Sequence, residues 1–196
     1  SVSWAAVNAA ERMAGTLKGR SVLIIGAGKM ANLAANQLAN KAIEELYIMN
    51  RSQDNAEGLA EKFGGISVSF WDMKEILSRV DVCICSSAAP HYLVEKDVVQ
   101  KIMADRPRKP LVCVDISIPR NIDPAVGQVA GVSLITVDDL GDIVTETVQR
   151  RCGAVSQVDG IIHQKTEEFY YKIARNRAVK ASGAFKAANS EVSHGD

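Results

Sequence analysis

Short apolar runs alternate with amphipathic stretches along most of this chain. The runs predict six strands, at SVLIIG, LYIMN, ISVSF, DVCICSS, LVCVDIS and VSLITV. The stretches between them, and one before the first run, predict helices at 2–13, 29–41, 52–63, 71–79 and 93–104. Apolar strands that are separated by helices favour a parallel sheet covered on both faces. We therefore predict an α/β fold with a doubly wound, parallel, six-stranded sheet.

After the last predicted strand the pattern changes to a helical stripe. Apolar residues recur at 140, 144, 148, 152, 155, 158, 162, 169 and 173. An unbroken helix over 138–176 would be on the order of 55 Å long, which exceeds the width of the sheet domain. Three glycines within it each cost about 1 kcal/mol relative to Ala, so a bend or break stays open. The stripe predicts a connector that another domain or subunit covers, or else a helix folded back on the sheet.

These patterns divide the chain into three segments. We assign 1–137 to the sheet domain, 138–176 to a long connector helix and 177–196 to a flexible tail. All five prolines fall between 90 and 124, where they mark the loops after the fourth and fifth strands.

Composition narrows the functional class only slightly. The 196 residues carry 23 basic and 23 acidic side chains, so net charge does not point to a nucleic-acid or membrane surface. No apolar run approaches the roughly 20 residues of a membrane span and no signal peptide opens the chain, so we expect a cytoplasmic protein without a membrane partner. The sequence begins at Ser1 inside a helical pattern, which leaves open both a fragment and a stand-alone variant.

The four cysteines fit a reducing compartment. Cys83, Cys85 and Cys113 lie in apolar runs, and Cys152 lies in the later helical stretch. Free cysteines pack as small hydrophobes, so we interpret these residues as inert core positions. A metal or nucleophile role is the alternative, but no Cys/His cluster or paired thiol spacing accompanies it. We predict no metal site.

A glycine turn follows the first strand. Gly26, Ala27, Gly28, Lys29, Met30 and Ala31 form a G-x-G-x-x-A pattern between a strand and a helix. The first glycine allows a tight turn, the second lets the backbone approach a pyrophosphate, and the alanine permits close packing of helix on strand. This context favours a Rossmann-like NAD(P)-binding domain of strand order 3-2-1-4-5-6 over a merely structural turn.

The end of the second strand indicates which dinucleotide would bind. An NAD site places a carboxylate there to accept hydrogen bonds from the ribose 2′-hydroxyl, whereas this chain has Asn50, Arg51 and Ser52. Guanidinium and hydroxyl donors bind a 2′-phosphate that a carboxylate would repel. We predict NADPH; a solvated surface arginine is the alternative.

The remaining candidates lie at the ends of the fourth and fifth strands. Ser86, Ser87 and Ala88 are small enough for a nicotinamide ribose to lie against the backbone, and the DISIPRN segment adds Ile116 and Pro119 beside the ring. His91 is a candidate proton donor, although a loop histidine is more often solvated or capping. No acid–base dyad or activated nucleophile is visible, so we assign no catalytic residue.

Several motifs resemble those of the nucleotide-binding domain of glutamyl-tRNA reductase. SVSWAAV, GAGKMA, NRS, SSAAPH, DISIPRNIDP and VDDL stand in that family's order and spacing, over roughly 1–175. GAGxM and NRS are shared with shikimate dehydrogenases, whereas SVSxAAV, DISIPRNIDP and DDL are more particular. The resemblance implies an NADPH-dependent oxidoreductase that uses the glycine turn, the NRS residues and the two strand-end loops to bind its cofactor.

The resemblance also implies a reaction. That family reduces the glutamyl group of glutamyl-tRNA to glutamate-1-semialdehyde, the first step of tetrapyrrole (porphyrin and haem) synthesis by that route. A cysteine of an N-terminal domain forms a thioester, and that domain would precede SVS, so this piece alone is expected to be inactive. The resemblance further implies a spinal helix from about 138, tRNA contacts through other domains, a homodimer, and glutamate-1-semialdehyde aminomutase as a further partner.

Two other functions stay open at the level of sequence. One is another NADP-dependent dehydrogenase, of shikimate-dehydrogenase or sirohaem-branch type, which would need a substrate Lys–Asp pair or a metal-insertion site that the sequence does not reveal. The other is a nucleotide-binding partner domain without turnover.

Overall fold

The computed structural model describes residues 1–141, in which six parallel strands form one sheet with helices on both faces. The strands run in the order β3-β2-β1-β4-β5-β6, and every neighbouring pair is parallel. Their bounds are β1 Ser21–Ile25, β2 Glu45–Met49, β3 Ile66–Val68, β4 Val82–Cys85, β5 Leu111–Asp115 and β6 Val132–Thr136. The predicted fold class and strand order are confirmed.

Five α-helices connect or precede these strands within the described residues. They are α1 Val2–Ala14, α2 Lys29–Leu38, α3 Gln53–Phe63, α4 Met73–Arg79 and α5 Lys96–Ala104. The helix predicted over 29–41 ends early because the chain turns there and Ala42 takes a positive φ of 49°. The helix predicted over 93–104 begins late because Val94 instead forms a parallel bridge with Ile122. Short 3₁₀ helices lie at Phe70–Asp72 and Pro124–Gln128.

Two apolar clusters cover the two faces of the sheet. Alternate residues of a strand point to opposite faces, so Ile24 packs under α1, α2 and α3 whereas Ile25 packs against α4 and α5. Buried alanines on α1 and α2 allow these helices to approach each other and the sheet closely: Ala5, Ala6, Ala9, Ala10, Ala31, Ala34 and Ala35. The four inner strands β2, β1, β4 and β5 are therefore buried on both sides, as their continuous apolar runs predict, whereas the edge strands β3 and β6 are partly exposed.

Two buried charged side chains lie where the parallel strands begin, which we call the amino edge of the sheet. Asp81 accepts hydrogen bonds from the Ser21 amide at 3.1 Å and from Arg20 Nη1 at 3.1 Å. Arg106 makes five hydrogen bonds to main-chain carbonyls, those of Leu77, Ser78, Val80, Lys109 and Pro110. Burial lowers the pKa of the Arg106 guanidinium, and the charge of Asp81 opposes that shift. This edge is a structural polar network that the protein satisfies by itself.

The chain leaves β6 through a capped turn. The amide and the hydroxyl of Thr136 each donate to Asp139 Oδ2 at 2.7 Å, an arrangement that resembles a capping box. Residues 140 and 141 are helical. The predicted connector helix beyond residue 141, the tail at 177–196 and Cys152 lie outside the described residues. Within residues 1–141, no helix is long and apolar enough to cross a membrane.

Candidate functional site

A cavity of about 560 Å³ opens at the carboxyl ends of β1, β2 and β4. The strand order reverses between β1 and β4, and ligands of doubly wound sheets bind at this switch point. The loops after β1, β2 and β4 line the cavity, together with one residue of α3 and one that follows β3. The lining residues are Gly26, Ala27, Gly28, Asn50, Arg51, Ser52, Asn55, Phe70, Ser86, Ser87, Ala88, Ala89, Pro90, His91 and Leu93. The structure thus brings together the first three residues of the predicted glycine turn, the NRS segment and the loop after β4.

The two glycines of the turn differ in what requires them. Gly26 takes a φ of +115°, and a Cβ there would lie 2.9 Å from the carbonyl oxygen of Ser86, so the fold itself excludes a side chain. Gly28 has an unstrained φ of −80°, and a Cβ there would meet no atom within 4 Å. Because neither backbone nor packing demands a glycine at this position, the open space suits a ligand that approaches the main chain.

Helix α2 begins directly at this open space. Gly28 is its N-cap and offers no side chain to bond the first-turn amides, which leaves those N–H groups for an anion. Lys29, Met30 and Ala31 do not line the cavity: the first is exposed, the second half-buried and the third buried in the core. The Met30 carbonyl accepts a hydrogen bond from the buried Ser3 hydroxyl at 3.0 Å, which ties the first turn of α2 to α1.

The β2 side of the cavity carries positive charge and hydrogen-bond donors. Arg51 and Ser52 are exposed, Ser52 caps α3 by accepting from the Asn55 amide, and Asn50 Nδ2 donates to the Ser52 carbonyl at 3.0 Å. Among residues 1–141 no Asp or Glu lines this cavity. Such a lining suits an anionic group and lacks the carboxylate that a ribose 2′-hydroxyl would need.

Two residues on the β2 side of the cavity were not predicted from the sequence. Asn55 lies one turn into α3, and half-buried Phe70 follows β3. Asn55 follows the NRS motif at a spacing of one helical turn, which is the signal that could have found it. Phe70 carries no comparable signal, because its position depends on where the third strand ends.

The loop after β4 presents two neighbouring hydroxyls with different partners. Ser86 Oγ is buried and has no hydrogen-bond partner among the described residues. Ser87 Oγ donates to Asn121 Oδ1 at 2.5 Å and accepts from the Ala89 amide at 3.2 Å. An unpartnered buried hydroxyl in a cavity wall suits a polar ligand.

Asp115 shapes the loop after β5, a role that the sequence did not predict. This buried carboxylate accepts from the amides of Ser117, Asn121 and Ile122 at 2.8 to 3.0 Å. Ile116 is buried and Pro119, which follows a cis peptide bond, is exposed, and neither lines the cavity. An acid at the very end of a buried strand is the signal that could have identified Asp115.

The described residues offer no visible catalytic machinery. Cys83, Cys85 and Cys113 are fully buried. A hydrogen bond with Cys85 and then burial raise the pKa of the Cys83 thiol, and burial raises that of Cys113. His91 lines the cavity and is exposed. No group of three or more His, Cys, Asp or Glu side chains in residues 1–141 could hold a metal ion.

Comparison with known proteins identifies the family. The family model for shikimate / quinate 5-dehydrogenase matches residues 8–143. The chain belongs to this family. Within it, the resemblance to glutamyl-tRNA reductase is confirmed: the enzyme of Thermodesulfovibrio yellowstonii is 38% identical over 170 residues and that of Moorella thermoacetica is 42% identical over 171. Each alignment covers 87% of this chain but only 40% and 39% of the relative, respectively, so the chain spans about two fifths of their length.

Solved structures give the same result. The glutamyl-tRNA reductase of Methanopyrus kandleri superposes with a TM-score of 0.77 at 33% identity, over 84% of this chain and 41% of that one. The nucleotide-binding domain of the Thermoplasma volcanium glutamyl-tRNA reductase has a TM-score of 0.60 at 20% identity, over 77% of this chain and 96% of that one. The second likeness shows the fold alone.

Proposed function

We propose that this chain is the NADPH-binding domain of a glutamyl-tRNA reductase. The observation that carries the proposal is the open space at Gly28 beside Arg51, in a cavity whose described lining has no carboxylate. Relatives at 38% and 42% identity are glutamyl-tRNA reductases, which favours this reaction over a shikimate-type one.

The residues present fit the cofactor. The amides of the glycine turn, Gly26 to Ala31, and the start of α2 would hold the pyrophosphate. Arg51 and Ser52, with Asn50 bracing their turn, would hold the 2′-phosphate. Ser86, with its unpartnered hydroxyl, and the small residues Ser87 and Ala88 would accommodate the nicotinamide ribose. Ile116 and Pro119 do not line the cavity; they stay predicted contacts only because of their place in the loop that follows β5.

In the proposed reaction bound NADPH supplies a hydride that reduces tRNA-linked glutamate to glutamate-1-semialdehyde. The described part of this chain binds and orients the cofactor, and the thioester-forming cysteine belongs to another domain. We place the boundary of the sheet domain at 137 and assign 138–176 to the connector helix and 177–196 to a flexible tail. The parent would be a cytoplasmic homodimer that binds glutamyl-tRNA through its other domains and passes the aldehyde to glutamate-1-semialdehyde aminomutase.

The cofactor assignment is tested by the Arg51→Glu substitution. The wild-type chain should bind NADPH more tightly than NADH, and the substitution should remove most of that preference, about 1 to 3 kcal/mol for a charged hydrogen bond. Isothermal titration with both cofactors measures the difference. The control is Arg108→Glu, because Arg108 is exposed and does not line the cavity. Equal affinities of the wild-type chain for the two cofactors would contradict the assignment.

The assignment of the chemistry to another domain has its own test. The isolated chain should form no glutamate-1-semialdehyde from glutamyl-tRNA and NADPH, because its described cysteines are buried and none of them lines the cavity. Production of the aldehyde that disappears when one of the four cysteines is mutated would overturn it.

A further inference from the structure

Asn121 joins the two loops that follow β4 and β5. Its side chain is fully buried, and its Nδ2 group donates to the carbonyls of Ala89 at 2.8 Å and His91 at 3.1 Å. The main-chain carbonyl of Asn121 accepts hydrogen bonds from the amides of Leu93 at 2.7 Å and Val94 at 3.1 Å. These bonds connect segments about thirty residues apart in sequence.

The orientation of the Asn121 amide follows from its partners. Carbonyl oxygens only accept hydrogen bonds, so the NH₂ group must face Ala89 and His91 and Oδ1 must face Ser87. The single hydroxyl proton of Ser87 is therefore committed to Asn121. One lone pair of Ser87 Oγ accepts from the Ala89 amide. One lone pair remains for a ligand.

We propose that Asn121 is a positioning residue that makes Ser87 an acceptor-only contact at the nicotinamide end of the cavity. A ligand group that meets this hydroxyl has to donate a hydrogen bond, as a sugar hydroxyl or a carboxamide NH₂ does. Carboxylate and phosphodiester oxygens have no proton to give at neutral pH and are disfavoured there. Ser86, whose hydroxyl has no partner among the described residues, can both donate and accept.

This inference rests on the proposed binding of NADPH, and two ligands separate the two ideas. NADP⁺ reaches both ends of the cavity, whereas 2′,5′-ADP carries the adenine half and the 2′-phosphate but lacks the nicotinamide half. Asn121 does not line the cavity itself; it contacts Ser87, on the loop after β4, whereas Arg51 lies on the loop after β2. The loss of Asn121 should therefore affect the first ligand and spare the second.

The experiment is calorimetric titration of the 196-residue chain and its Asn121→Leu variant with both ligands. Leucine has the same branched arrangement of heavy atoms as asparagine, but it neither accepts a hydrogen bond from Ser87 nor donates to the two carbonyls. NADP⁺ binding should weaken by about tenfold or more, while 2′,5′-ADP binding should stay within about twofold. The control is Asn8→Leu, since half-buried Asn8 donates to the Trp4 carbonyl within α1, does not line the cavity and should leave both affinities unchanged.

Each outcome decides the matter. Equal losses for both ligands, or no loss for either, would overturn the positioning role. In a Ser87→Ala background, Asn121→Leu should add less than about a twofold further loss, because the two residues act through one contact. If Asn121→Leu fails to melt cooperatively, Ser87→Ala alone is decisive: unchanged NADP⁺ affinity would overturn the proposal. A wild-type chain that binds neither ligand would refute the proposed function, and this inference with it.

Discussion

The amino edge of the sheet, where the strands begin, and the carboxyl edge, where they end, differ in how their buried polar groups are hydrogen-bonded. At the amino edge, Asp81 and Arg106 bond the protein's own amides and carbonyls, and Arg106 alone serves five of those carbonyls. At the carboxyl edge the hydroxyl of Ser86, a residue that lines the cavity, has no partner among the described residues, and Gly28 faces open space. The buried polar groups of the amino edge are hydrogen-bonded within the protein, whereas the carboxyl edge leaves groups available to a ligand.

The contrast separates residues that stabilise the fold from residues that bind. An unsatisfied buried hydroxyl costs about 1 to 3 kcal/mol, a cost that a ligand hydrogen bond offsets. Asp115 and Asn121 show that the carboxyl edge also contains satisfied groups, and these fix the loops after β4 and β5 without lining the cavity. Substitutions at the two edges should therefore change different measured quantities.

The largest expected effect is at the amino edge. Replacing Arg106 by Met removes five hydrogen bonds and leaves buried carbonyls unpaired, so the free energy of unfolding should fall by about 3 to 5 kcal/mol. Urea denaturation measures this loss. Arg108→Met is the matched control, because Arg108 lies in the same loop and is exposed, and it should change stability by less than about 0.5 kcal/mol. Stability unaltered by Arg106→Met would remove the distinction between the edges.

The two glycines of the turn supply a comparison within the carboxyl edge. Gly26→Ala should lower the free energy of unfolding by about 1 to 3 kcal/mol, because its backbone is left-handed and its Cβ meets Ser86. Gly28→Ala should cost less than about 1 kcal/mol of stability but weaken NADP⁺ binding by about tenfold, since the new methyl fills the ligand's space. Urea denaturation measures the stability of each variant, and calorimetric titration measures its affinity for NADP⁺. Similar binding losses without any stability difference would mean that the glycines share one role.

The sequence predicted the fold because its signals are local. The inner strands contain continuous apolar runs, and α3, for example, is bounded by the Ser52 cap and by Gly64 in the left-handed conformation. The end of α2 at residue 38 and the start of α5 at residue 96 were not predicted, because they depend on a turn at Ala42 and on the bridge between Val94 and Ile122. Such long-range contacts leave no periodic trace in the sequence.

The candidate site divides in the same way. The glycine turn and the NRS segment are contiguous motifs, so the order of amino acids is enough to locate them. The roles of Asn121 and Asp115 are not visible at that level, since they follow from hydrogen bonds to residues that only folding brings near, with Ser87 and Asn121 34 positions apart. A polar residue inside a loop motif does not reveal whether it will contact a ligand or support a residue that does.

The smallest effect is expected at an exposed carboxylate where the chain leaves the carboxyl edge. The hydroxyl and amide of Thr136 lower the pKa of Asp139, and the charge of Arg120 adds to the shift. A depressed pKa in the folded state means that the contribution to stability is present above the unfolded pKa of about 3.9. It is lost as the pH falls through the lower folded pKa.

Asp139→Asn should therefore reduce the free energy of unfolding by about 0.5 to 1 kcal/mol at pH 7, and the deficit should shrink as the pH falls below about 4. Solvent screening keeps the value small because Asp139 is exposed. Urea denaturation at several pH values compares the variant with the wild type and with Glu44→Gln, an exposed acid outside any cap that should show no such dependence. A deficit that persists unchanged to low pH would show that the side chain acts through shape. In that case Asp139 would resemble the groups of the amino edge, because its contribution to stability would come from packing and hydrogen bonding and not from its charge.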